Sequence, residues 1–62
     1  MTDTDIQTMV DEAMEQVADG EDEITAQDNA LGMFVDETCD EYTDTLKRFS
    51  AAFIAAYRKA WA

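Results

Sequence analysis

The chain contains no histidine and no proline, one cysteine (Cys39), two glycines (Gly20 and Gly32) and four basic residues among 62. Each shortage excludes something. Without histidine, without a glycine-rich phosphate loop and without a Ser or Cys set beside a base, no familiar catalytic constellation can be assembled. The sequence therefore predicts a non-enzymatic protein with no catalytic residues, no cofactor and no metal site. A single cysteine cannot form an intrachain disulfide, and no histidine is present to activate it, so Cys39 reads as an ordinary reduced thiol of a cytoplasmic protein. The lack of proline leaves helices free to run except near the two glycines. The opening Met1-Thr2-Asp3-Thr4-Asp5 has neither the basic nor the apolar region of a secretory signal. The longest apolar run, Ala51 to Tyr57, falls far short of the roughly 20 residues that cross a bilayer. No membrane association is expected.

What the chain has in abundance is acid. Fifteen Asp and Glu against four Lys and Arg give a formal net charge of -11 and a pI of about 4.1. Such a charge opposes direct contact with nucleic acid or anionic lipid and favours basic partners. A chain this short buries only about 60% of the surface that its unfolded form exposes. Small scaffolds make up that deficit with disulfides, a structural metal or association. Here association is what remains, and a homodimer is expected.

Apolar residues at Ile6, Met9, Val10, Ala13, Met14 and Val17 follow the i, i+3, i+4, i+7 spacing of one helical face. A first helix is predicted over about residues 5–19, capped by Thr4 or Asp5 and ended at Asp19-Gly20. Residues 20–24 form an acidic connector. Thr25 followed three residues on by Asp28 resembles a capping box, which starts a second helix at about 25. Its stripe of Leu31, Val35, Thr38, Tyr42, Leu46, Phe49, Phe53, Ala56 and Ala60 alternates steps of three and four to the end of the chain, so one long helix over 25–61 is the simplest reading. At 1.5 Å per residue it would be roughly 55 Å long. The expected fold class is all-α, a short-helix, long-helix hairpin in one domain. Its uncovered C-terminal half would associate through Phe49, Phe53, Ile54, Tyr57 and Trp61, with aromatic residues as the anchors.

The acids all lie between Asp3 and Asp44, and the bases Lys47, Arg48, Arg58 and Lys59 all follow them. On a helix this polarity suits the macrodipole, and it would also let two copies pair antiparallel. The densest run is Asp36, Glu37, Asp40, Glu41 and Asp44. If helical, it places like charges at i, i+4 in three pairs, each costing about 0.2 to 0.5 kcal/mol. Its spacing would be one carboxylate per roughly 2.7 Å, between the 3.4 Å per phosphate of one DNA strand and the 1.7 Å of the duplex. Asp11, Glu15 and Asp19 supply a second row. These eight residues are the candidate partner-binding face.

The segment Asp19 to Asp28 weakly resembles part of an EF-hand loop. It has Val17 at the first ligand position and Asp22 at the glycine position, so a primary ligand and a tight turn are both missing. In size and helical plan the chain is similar to small phage and plasmid accessory proteins, a likeness of architecture alone. The function expected is that of an inhibitor or adaptor that binds a basic, nucleic-acid-handling protein, such as a nuclease or defence complex, by presenting carboxylate rows in place of phosphates. The alternative is a self-associating assembly module that uses its C-terminal aromatic helix and is acidic only for solubility.

Overall fold

The computed structural model describes residues 2–61 and contains three helices, α1 (Asp3–Ala18), α2 (Glu23–Gly32) and α3 (Tyr42–Trp61). All regular structure among the described residues is α-helical, as expected. The long second helix is not there. Its place is taken by α2, a run of turns over 33–41, and α3. The longest dimension of the molecule is 33 Å, about the length of the 20-residue α3 itself and too short for the 55 Å rod.

Helix α1 forms where its apolar spacing places it, but it begins earlier than residue 5. The Thr2 hydroxyl accepts from the Asp5 amide at 3.1 Å and the Asp5 carboxylate accepts from the Thr2 amide at 3.2 Å, a reciprocal capping box. Thr4 and Asp5 are thus inside the helix. At the other end Gly20 adopts φ +105°, a conformation open to glycine. The Gly20 amide donates to the Val17 carbonyl and the Glu21 amide to the Gln16 carbonyl, both at 3.0 Å. These paired bonds close the helix as a Schellman motif, and the stop expected at Asp19-Gly20 is found.

Helix α2 starts two residues before the expected point because Asp22, not Thr25, is its cap. The Asp22 carboxylate accepts from the Thr25 amide at 2.9 Å and from the Thr25 hydroxyl at 2.8 Å. These bonds, the amide first, hold the Asp22 carboxyl below the usual aspartate range. The Thr25–Asp28 capping box does not form. With α1 running to Ala18 and α2 opening at Glu23, the stretch that resembles an EF-hand is mostly helix. Among the described residues no group of three His, Cys, Asp or Glu converges to hold a metal ion.

Why the chain breaks after Gly32 follows from its residues. Gly32 disfavours helix by about 1 kcal/mol, and a continuing helix would stack three like-charge pairs in the next three turns. Asp36 instead bends the chain back: its carboxylate accepts from the Thr38 hydroxyl, from the Thr38 amide at 2.9 Å, and from the Cys39 thiol at 3.7 Å. Asp and Thr favour such local bonds over helix. Helix α3 restarts at Tyr42 with Asp44 in its first turn and Arg58 and Lys59 in its last, matching the macrodipole.

The break lets α2 fold back along α3. Glu23 and Tyr57 line one groove at one end of the pair, while Leu31, Val35 and Tyr42 meet at the other, so the two helices run in opposite directions. Asn29 of α2 donates to Gln16 of α1 at 3.0 Å, and Arg48 of α3 pairs with Asp3 of α1 at 2.8 Å. The shared core contains Ile6, Met9, Val10 and Ala13 of α1, Ala26, Ala30 and Leu31 of α2, Val35 after it, and Phe49 and Phe53 of α3, with Met14 and Val17 packed against it. Thr45 is also fully buried, and its hydroxyl has no hydrogen-bond partner. Thr45, not Leu46, continues the buried face of α3. Leu46 is exposed, and the three-and-four stepping across 33–41 is a coincidence of spacing.

Candidate functional site

Every one of the fifteen acids is exposed or half-exposed. Asp11 and Glu15 stand on the exposed side of α1, and Asp19 caps its end, so that row exists as expected. The denser row does not. Asp36, Glu37, Asp40 and Glu41 lie in the turns between α2 and α3, and only Asp44 is helical. The 2.7 Å phosphate-like spacing, which required a continuous helix, is therefore lost. Asp36 is also engaged within the chain by Thr38 and Cys39, and in the α1 row Asp11 by the Gln7 amide at 2.9 Å. The bonds to Asp36, led by that of the Thr38 hydroxyl, hold its carboxyl below the usual aspartate range.

What the turn builds in place of a row is a cleft of about 350 Å³, formed by Asp28, Leu31, Gly32, Val35, Asp36, Glu37 and Tyr42. Leu31 and Val35 are buried and form an apolar floor, Tyr42 is half-buried, and three carboxylates stand at the rim. An open site with apolar walls and one sign of charge suits a long cationic side chain, whose stem can lie on apolar surface and the Tyr42 ring while its head meets carboxylates. Asp28 belongs to this site, whereas the sequence suggests it only as a capping residue and as the end of the EF-hand-like segment. The signal that could have found it was the Asp-x-Thr turn at Asp36 to Thr38, which brings 36 and 37 back toward α2.

The five aromatic and aliphatic residues expected to form an association surface divide into two groups. Phe49 and Phe53 are buried in the chain's own core and are withdrawn from any interface, because α1 and α2 cover that stretch of α3. Ile54 and Trp61 are exposed and Tyr57 is half-exposed. The four rings form one ladder at steps of four, with centroids 6.1 Å apart for Phe49–Phe53, 5.8 Å for Phe53–Tyr57 and 5.0 Å for Tyr57–Trp61. Beside its outer half is a second groove, about 410 Å³, lined by Glu23, Ile24, Gln27, Phe53, Ile54, Tyr57 and Arg58. Ile24 was not singled out from sequence, since it falls outside the stripe assumed for a helix starting at 25. No described helix is long and apolar enough to cross a membrane.

The fold and these two surfaces define a small three-helix, all-α unit. No protein-family model matches the chain, and neither a curated protein nor a solved structure matches it.

Proposed function

We propose that this protein is a non-enzymatic interaction module, an inhibitor or adaptor that binds a basic, nucleic-acid-handling partner through its acidic surface. The observation that carries this reading is the cleft between α2 and α3, where Asp28, Asp36 and Glu37 surround Leu31, Val35 and Tyr42. Regular phosphate spacing no longer supports it. In its place stand a net charge of -11 with no acid buried and a concave point at which one Arg or Lys of the partner would anchor. The partner class is the one whose surface is already built for polyanions. A nuclease or a defence complex is of this kind.

The test is retention of host proteins on the immobilised chain, washed through rising salt and then challenged with duplex DNA. A nucleic-acid-binding protein should be held at low salt, released as salt rises, and displaced by the DNA. The triple change Asp28→Asn, Glu37→Gln, Asp40→Asn should abolish retention and leave the helical content unchanged, since none of these side chains caps a helix or enters the core. Retention that ignores both salt and the triple change would refute the reading.

A second reading is favoured by a separate observation. Ile24, Ile54 and Trp61 are large apolar side chains left exposed by a chain with a small core, which supports self-association through the outer part of α3. The two readings are compatible, because the cleft and the groove are lined by different residues.

A further inference from the structure

We propose that the groove between the start of α2 and the end of α3 is the contact surface of a two-fold homodimer. This rests on the self-association reading and names its surface. The floor of the groove is apolar, with Ile24 69% and Ile54 45% exposed beside the half-buried Tyr57 and the buried Phe53. Its two sides are charged oppositely. Glu23, preceded by Glu21 and Asp22, stands on the α2 side, and Arg58, followed by Lys59, stands on the α3 side.

That pairing of rims identifies the occupant. A uniformly basic partner would meet Arg58 in the groove, whereas a second copy rotated about an axis lying along the groove sets each acidic rim against the other copy's basic rim, twice over. Isologous contacts repeat in this way by symmetry. A standard interface takes about 800 Å² from each partner, about one-fifth of the 4188 Å² of the monomer. The groove must therefore be joined by both of its flanks, and the rims become part of the contact. Tyr57 is already half-buried and packed between Phe53 and Trp61, with ring centroids 5.8 and 5.0 Å away, so little side-chain freedom is lost there when the faces meet.

Salt separates this contact from binding to a basic partner. Each copy brings a net charge of -11, so the long-range term between copies is repulsive and salt screens it. Dimerisation should strengthen as salt rises, while capture of a basic partner should weaken.

The deciding experiment is sedimentation equilibrium of the full chain and two variants in low and high salt, with circular dichroism as the check on folding. Glu23→Arg gives two basic rims and Arg58→Glu gives two acidic rims. Each variant alone should raise the dimer dissociation constant about tenfold or more, and an equimolar mixture of the two should recover dimers close to those of the parent chain. Recovery on mixing cannot arise from altered folding of either chain, since neither is repaired by the other except across the contact. A parent chain that is monomeric in both salts would overturn this proposal together with the self-association reading. A parent dimer indifferent to both variants, or variants not restored by mixing, would overturn the groove as its surface while leaving self-association standing.

Discussion

The middle turns and the last two turns of α3 carry aromatic residues at the same spacing, yet they have opposite surroundings. Phe49 and Phe53 lie beneath α1 and α2, while Tyr57 and Trp61 continue the same ladder out of the core. The difference is one of cover. At 1.5 Å per residue, α1 with its 16 residues spans about 24 Å and α2 with 10 about 15 Å, both shorter than the roughly 30 Å of the 20-residue α3. Spacing alone makes a face apolar; the length of the neighbouring helices decides how much of it becomes core and how much becomes surface.

This contrast can be broken most strongly from the buried side. Phe49→Ala should cost about 3–5 kcal/mol, enough to unfold a domain of this size at room temperature, as followed by thermal melting. Trp61→Ala, at the other end of the ladder, should move stability by no more than about 0.5 kcal/mol. A Trp61→Ala loss as large as that of Phe49→Ala would mean that the outer rings belong to the core after all.

The outer half of α3 borders α2 along the groove that Glu23 and Tyr57 line, and α2 itself is started by Asp22. Removing that cap with Asp22→Ala should cost about 1 kcal/mol. It should also raise amide hydrogen exchange at Ile24 and Thr25 more than at Phe49. The pH dependence has a definite sign. Because the Asp22 and Asp36 carboxyls are held below the ordinary aspartate range in the folded chain, the unfolded chain binds more protons as that range is entered from above. The stability from these groups is therefore complete above the ordinary range and is lost as pH falls through their lowered values. Denaturation midpoints measured across the acid limb should fall less steeply for Asp22→Ala than for the parent. An identical slope would show that the cap carries no linked proton.

A gain in place of a loss sharpens the buried side. The Thr45 hydroxyl is enclosed without a partner, so Thr45→Val keeps the volume and removes an unsatisfied polar group, which should stabilise the fold by about 1 kcal/mol. A loss in urea denaturation would mean that the hydroxyl is satisfied in solution, for instance by a bound water.

How far the sequence could be read depended on whether local and tertiary forces agreed. For α1 they did: Ile6, Met9, Val10 and Ala13 mark one face, they are its buried residues, and Gly20 ends the helix. At 33–41 they did not. Periodicity alone places the like-charge pairs among Asp36, Glu37, Asp40, Glu41 and Asp44 in a helix, whereas they are among the reasons no helix forms there. Gly32 and the Asp36–Thr38 turn carried the same message. Apolar residues at Leu31, Val35, Tyr42 and Phe49 happened to keep step across a gap in which the backbone turns back, and periodicity records only the order of residues along the chain. The acidic candidates were consequently legible as a group of exposed charges and not as a geometry. The cleft with Asp28 and the groove with Ile24 both depend on α2 lying antiparallel to α3, a relation that no spacing within either helix encodes.

The confinement of Arg58 and Lys59 to the last turn of α3, with acids throughout the first 44 residues, also bears on kinetics. In the folded molecule Arg58 stands across one groove from Glu23, so the charge is mixed locally while the field at a distance is that of a polyanion of net charge -11, which draws a basic protein in from several ångströms before contact. Steering of this kind raises association rates by about 10 to 10³ at low ionic strength, and its benefit lies in how quickly a complex forms rather than in how long it lasts.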